Sequence, residues 1–149
     1  MEDHILKSHN KTLLLYHLVF PVKYRREIFT ESVSESLKRI CLAISARYEI
    51  HFVEIGMEEN HVHFLVQGVP SMSVTQIVMT IKSITARRIF LLHKEVKIRL
   101  WGGNLWTSGY YANTVGQYGN MEAIQRYIAN QGSYKKLLEQ QPLLDLGFQ

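Results

Sequence analysis

The sequence predicts an α+β fold, one antiparallel sheet with helices packed on it, in the order β-α-β-β-α-β-α. Three observations carry that prediction. Apolar segments of strand length alternate with segments whose apolar residues recur at helical spacing. Two of the strand-like segments are separated only by residues 58–60, a connection that joins antiparallel neighbours and is too short for a parallel crossover. The 149 residues are enough to bury a core, and no repeat, low-complexity tract or linker divides them. A single domain over residues 1–149 is the expectation.

The elements follow in chain order. LLLYHLVFPV at residues 13–22 reads as a strand closed by Pro21. Residues 32–48 read as a helix, because Val33, Leu37, Ile40, Cys41, Ile44 and Tyr48 share one face and Ser32 with Glu35 has the spacing of a capping box. IHFVEIGM at 50–57 and HVHFLVQG at 61–68 are two strands across a short polar turn. Ser73 and Gln76 open a second helix, with Val74, Ile77, Val78, Ile81 and Ile84 as its apolar positions. LWTSGYYANTV at 105–115 predicts a further strand with a break at Ser108 and Gly109. Asn120 caps a third helix that runs to about Gln131, where Gly132 interrupts it.

Composition narrows the function classes. Hydrophobic residues at 46% and charged residues at 20% are ordinary for a globular protein, so the chain needs neither a disordered nor a membrane reading. No apolar run approaches the roughly 20 residues that span a bilayer, and MEDHILKSHNK at the start lacks a signal-peptide pattern. The lone Cys41 excludes an intramolecular disulfide and a cysteine-only zinc site, and its place in a helical stripe reads as a buried thiol. A cytoplasmic protein with no membrane partner is expected. Charge is uneven: between Ser73 and Gly103 stand Lys82, Arg87, Arg88, Lys94, Lys97 and Arg99 against Glu95 alone, more than the formal excess of +4 for the whole chain. That stretch is either a solvated basic face or a phosphate-binding surface.

The stretch ENHVHFLVQGVP at residues 59–70 carries the sharpest signal. On a strand, His61, His63 and Leu65 share one face and Val62, Phe64 and Val66 share the other. The second set belongs under the helices, so the first projects two imidazoles side by side, a bidentate arrangement suited to a metal ion. Alone, the pair fits an incidental surface cluster equally well. In NMEAIQRYIANQG at 120–132, Met121, Ile124 and Ile128 mark an inward stripe, and Tyr127 and Gln131 are neighbours four residues apart. Those two are either an ordinary amphipathic helix edge or, beside the histidines, a nucleophile and an oxygen-donating ligand.

Together these segments resemble the single-tyrosine HUH transposases of small bacterial insertion sequences, enzymes that cut and rejoin single-stranded DNA. The resemblance rests on YHLVFPVKYRREIF at 16–29, HVHFLV at 61–66, WGGNLWTSGYYANTVG at 101–116 and YIANQG at 127–132, which cover most of the chain in the family's order. It implies a ferredoxin-like, HUH-type sheet, a divalent metal held by His61, His63 and Gln131, and Tyr127 as the catalytic nucleophile. Where the family usually has Pro-Asp before the first histidine, Glu59 and Asn60 stand here. No ligand is lost, and Asn60 becomes the candidate support behind the histidines.

The resemblance further implies a 5′-phosphotyrosine bond and a free 3′-hydroxyl as products, with strand rejoining as the reverse step. Two histidines and an amide oxygen suit Mg²⁺ or Mn²⁺. No nucleotide cofactor is needed, in keeping with the absence of a GxxxxGK[ST] loop. The implied partners are single-stranded DNA at hairpin-containing element ends and a second copy of the chain, in a homodimer whose active sites are shared. Gly116 and Gly119 bracket the connection to the tyrosine helix, as a hinge or as an ordinary turn. In this setting Lys82, Arg87 and Arg88 read as DNA contacts. Tyr110 and Tyr111 read as sheet packing, and Trp101 and Trp106 as core packing in preference to base stacking. The competing classes are a non-catalytic DNA-binding regulator, a phosphodiesterase that uses water, and a related HUH nickase or replication initiator.

Overall fold

Period-2 alternation of apolar residues generates the strands, and the face each residue takes decides where the core lies. The computed structural model describes residues 4–116. In chain order these form β1 (Ile5–Leu6), β2 (Lys11–Thr12), β3 (Leu14–Pro21), a 3₁₀ turn (Lys23–Arg25), α1 (Glu31–Arg47), β4 (His51–Met57), β5 (His61–Gly68), α2 (Val74–Leu92), α3 (Lys94–Arg99) and β6 (Tyr111–Val115). The helix expected at about 120–131, with Tyr127 and Gln131, lies outside the described residues, as does Gly119.

The main sheet has the order β4-β5-β3-β6, and every neighbouring pair is antiparallel. The path from β3 through α1 to β4 passes over β5, and the path from β5 through α2 and α3 to β6 passes over β3. This is the ferredoxin-like split arrangement, and it places β3 and β5 at the centre. One sheet face carries Leu18 and Phe20 from β3, Val62, Phe64 and Val66 from β5, and Phe52 from β4, packed with Leu37, Ile40, Ile44, Ile77 and Ile81 from the helices. Phe64 lies edge-on to Phe20 at 5.1 Å and to Phe52 at 5.6 Å between ring centroids, and Phe20 meets Trp106 at 5.5 Å. Each such pair adds about 0.5–1.5 kcal/mol beyond its buried area. Cys41 is fully buried among these residues, and burial pushes its thiol pKa far above the usual range.

Several expectations are corrected. The cap of α1 is Thr30, whose Oγ1 accepts the Val33 amide, so Ser32 falls inside the first turn and no capping box forms with Glu35. The expected box at Ser73 and Gln76 forms in both directions. The strand expected over 105–115 is interrupted at Ser108 and Gly109 as expected, but its first part is only a single bridge between Trp106 and Val22, and the regular strand is β6. Lys82 spans the interruption, its ammonium donating to the carbonyls of Thr107 and Gly109. The helix α3 and the small β1–β2 ladder had no sequence signal strong enough to predict them.

Trp106 is buried as expected, whereas Trp101 is 70% exposed and Tyr110 and Tyr111 are exposed at the start of an edge strand. No helix among the described residues is long and apolar enough to cross a membrane.

Trp106 locks the 105–107 segment to α2. Its indole Nε1 donates to Thr85 Oγ1 at 3.0 Å, and the same hydroxyl donates to the Ile81 carbonyl at 2.6 Å, both in the buried core. Thr85→Val keeps the shape and removes the acceptor, leaving a buried N–H without its hydrogen bond. Denaturant unfolding is expected to show a loss of about 1–3 kcal/mol, with Thr85→Ser costing less. Wild-type stability in Thr85→Val would show that the indole does not depend on this acceptor.

Candidate functional site

The site grows out of the turn between β4 and β5. The Glu58 amide donates to the His61 carbonyl at 2.9 Å and closes the turn, while the Val22 amide donates to the Asn60 carbonyl at 2.9 Å and the Ile28 amide to that of Glu59 at 3.0 Å. The segment after β3 therefore clamps the turn on which His61 begins β5. Register places Pro21 opposite His61 and Val19 opposite His63. With Val62 and Phe64 committed to the core, His61 and His63 take the opposite face of the sheet. That face holds its own small apolar cluster of Leu15, Val53 and Leu65, away from the helices.

The imidazoles are ordered by three contacts. Asn60 Oδ1 lies 2.8 Å from His61 Nδ1, His61 Nε2 lies 3.1 Å from His63 Nε2, and His63 Nδ1 lies 3.3 Å from His17 Nε2. With Asn60 accepting, His61 carries its proton on Nδ1 and keeps a lone pair on Nε2. With His17 accepting, His63 does the same. The ring of His17 is stacked parallel to that of His63, at 5.5 Å between centroids and 6° between planes, and Tyr111 meets its edge at 6.3 Å. His17 is the residue that sequence reasoning missed. Its only signal was a polar side chain inside an apolar strand, and register alone aligns it with His63.

The two Nε2 atoms, 3.1 Å apart, either share a proton in a hydrogen bond or, with both protons on Nδ1, face a cation held between them. The doubly protonated, charged form of His63 is disfavoured. Its pKa is held below the usual value first by burial and then by the neighbouring His61 and His17, with Glu58 opposing the shift. The spacing suits a metal ion, because two nitrogen ligands about 2.1 Å from one ion and at right angles are about 3.0 Å apart. Among the described residues no group of three or more His, Cys, Asp or Glu side chains converges to hold a metal. The pair therefore offers two ligands. His17 stands behind His63, and the expected third ligand, Gln131, lies outside the described residues with Tyr127.

Of the basic residues expected to contact DNA, Lys82 and Arg87 line one groove and Arg88 does not. Lys82 is held between the two carbonyls at 2.8 Å each, with the rings of Phe20 and Tyr110 at 5.4 and 5.5 Å, and burial lowers its pKa. Its geometry is that of a cation fixing the 107–109 segment. Arg87 is exposed and lines a groove of about 460 Å³ between α2 and that segment, together with Met79, Phe90 and Trp106. Arg88 is half-buried and does not line this groove.

Residues 10–131 match the protein family described as IS200-like transposase. The ISDra2 transposase TnpA of Deinococcus radiodurans is 35% identical over 118 residues, which cover 79% of this chain and 84% of that protein. The transposase for insertion sequence element IS200 of Salmonella typhimurium is 28% identical over 140 residues, covering 94% of this chain and 91% of that one. Among solved structures, a candidate transposase from Deinococcus radiodurans R1 superposes with a TM-score of 0.69 at 31% identity, over 85% of this chain and 97% of the other.

The order of the histidine contacts is open to titration. In chelated protein, the His63 imidazole is expected to titrate below its ordinary value of 6.5. Because the folded pKa lies below the unfolded one, His63 favours folding fully above about pH 6.5, and that contribution is lost as pH falls through the lower folded value. Imidazole NMR signals followed against pH read the shift directly. His61→Ala, which removes one opposing charge, should move the His63 midpoint upward, and an unmoved midpoint would refute the coupling.

Proposed function

The chain belongs to the IS200-like transposase family, and from that premise we propose that it cuts and rejoins single-stranded DNA through a covalent bond to Tyr127. In this reading His61, His63 and Gln131 hold a divalent metal, Mg²⁺ or Mn²⁺, and no nucleotide cofactor takes part. The observation that carries it is the histidine pair, with Nε2 atoms 3.1 Å apart and both imidazoles oriented from behind, by Asn60 and by His17.

When bound, the metal would draw negative charge off the scissile phosphate. Everything else falls to this chain. The Tyr127 phenol, with an ordinary pKa of about 10, gives up its proton and its oxygen attacks phosphorus. The Tyr127 O–P bond forms as the bond from phosphorus to the 3′-oxygen breaks, and that oxygen leaves as a 3′-hydroxyl after taking a proton. The 5′-phosphate stays on Tyr127. Attack by a DNA 3′-hydroxyl reverses each step and releases the tyrosine, so bond energy is conserved and no nucleotide is hydrolysed. Asn60 and His17 would act before the chemistry, by favouring the Nδ1-protonated tautomers of His61 and His63, which leave both Nε2 atoms available to hold the ion.

The reading extends to a homodimer acting in the cytoplasm on hairpin-containing ends of an insertion sequence, with the Tyr127 segment of one copy completing the histidine pair of the other. Such sharing follows the resemblance of the chain to its family and fits a histidine pair that offers only two ligands among the described residues.

One experiment separates these claims. Wild-type chains incubated with single-stranded DNA carrying the element end and Mn²⁺ should yield a denaturation-resistant protein–DNA adduct. Tyr127→Phe and the double variant His61→Ala, His63→Ala should each yield none, and verified heterodimers of the two should regain it. An adduct with Tyr127→Phe would move the nucleophile elsewhere, and DNA binding without any wild-type adduct would favour a regulator. Inactive heterodimers would refute sharing while leaving the chemistry intact.

A further inference from the structure

Only three non-glycine residues among the described residues have positive φ: Tyr24 at 61°, Arg25 at 53° and Trp101 at 55°. Left-handed backbone is unfavourable for side chains of this size and persists only where the surroundings enforce it. These residues come from two segments far apart in sequence, yet they meet. The rings of Tyr24 and Trp101 lie 5.2 Å apart between centroids. The strain therefore converges on one pair of aromatic rings.

The pair is not buried by the fold. Tyr24 is 57% and Trp101 70% exposed, while the residues anchoring them, Val22, Leu100 and Leu105, are fully buried. The Lys23 amide donates to the Leu105 carbonyl, the Trp101 amide to that of Ile98 and the Gly102 amide to that of Lys97. Both rings thus stand on a fixed base with open surface above. A core-packing explanation fails for Trp101, and strain that only closed two loops would not need two large aromatic residues left in water.

Cations lie against both rings. The Arg26 guanidinium lies 4.8 Å from the Trp101 ring and the Lys23 ammonium 5.4 Å from that of Tyr24. Arg25 is exposed between them in sequence. None of these three cations forms an ion pair with a carboxylate among the described residues. Exposed aromatic faces framed by cations match the chemistry of an unpaired nucleobase with its flanking phosphates, since every base has a stacking face and every linkage a negative charge. The cluster also lies at the histidine end of the sheet. Pro21 is opposite His61, and Val22, next in the chain, is hydrogen-bonded to the Asn60 carbonyl.

We propose that Tyr24 and Trp101 form a stacking platform for an unpaired base of single-stranded DNA, with Lys23, Arg25 and Arg26 contacting the adjoining phosphates beside the His61 turn. The platform rests on the DNA-processing reading for its ligand, and not on the identity of the nucleophile or the metal.

The test uses the full chain in chelator, where cleavage plays no part, and follows a fluorescent single-stranded oligonucleotide of the element end by anisotropy. Trp101→Ala and Tyr24→Ala, checked for native unfolding midpoints, should each weaken binding roughly fivefold to a hundredfold, the range expected for losing one stacked base. Trp101→Phe should recover part of it. Arg25→Gln with Arg26→Gln should flatten the dependence of affinity on salt. An oligonucleotide with successive abasic sites should bind wild type more weakly at one position and Trp101→Ala equally at all. Wild-type affinity in both alanine variants overturns the platform and leaves the DNA reading standing. Failure of the wild type to bind single-stranded DNA at all overturns both.

Discussion

The register between β3 and β5 is the constraint on which the rest depends. Leu18 stands opposite Phe64 and Val19 opposite His63, so one alternation sends Leu18, Phe20, Val62 and Phe64 beneath the helices and His61 and His63 to the far side. A slip of one residue would exchange the faces, burying imidazoles in the apolar layer and exposing aromatic rings to water. The core thus specifies the site at no separate cost. Fully burying each large apolar side chain contributes about 1.5–3 kcal/mol, and several of them vote for the same register.

The second layer of specification is hydrogen bonding between segments that have no regular structure. Residues 22–28 clamp the turn at 58–60 through the Val22 and Ile28 amides, and the 105–107 region is reached by the Lys23 amide, which donates to the Leu105 carbonyl, and by the Pro21 carbonyl, which accepts from the Thr107 amide. Lys82 and Trp106 then fix that region to α2. Four stretches distant in sequence therefore come to one end of the sheet. A mobile strand of DNA would meet a surface already set, with histidines, exposed aromatic rings and cations held by buried anchors.

Much of this was legible in the sequence because period and caps are local. The strands at 50–57 and 61–68, the short turn between them, the division of His61 and His63 from Val62 and Phe64, and the box at Ser73 and Gln76 depend only on residues close in the chain. What escaped depends on distant partners. Thr30 caps in place of Ser32 because helical geometry begins at Glu31, two residues earlier than a Ser32 cap requires. Lys82 reads as a free cation until two carbonyls from residues 107 and 109 close on it. Trp101 reads as core because a tryptophan usually is, and His17 gains meaning only when register sets it against His63. The assignments to Tyr127 and Gln131 fall outside the described residues and rest on motif and family.

At the centre is a geometric arrangement: the Nε2 atoms of His61 and His63 lie 3.1 Å apart, with Asn60 and His17 in contact with the far nitrogens. In the proposed reading an ion between those two atoms would be held by both imidazoles. The most direct measurement is an anomalous difference map from crystals grown with Mn²⁺. The predicted result is one peak about 2.1 Å from both the His61 and His63 Nε2 atoms. A map whose Mn²⁺ peaks all lie elsewhere, with the histidine pair free of density at saturating metal, would contradict it.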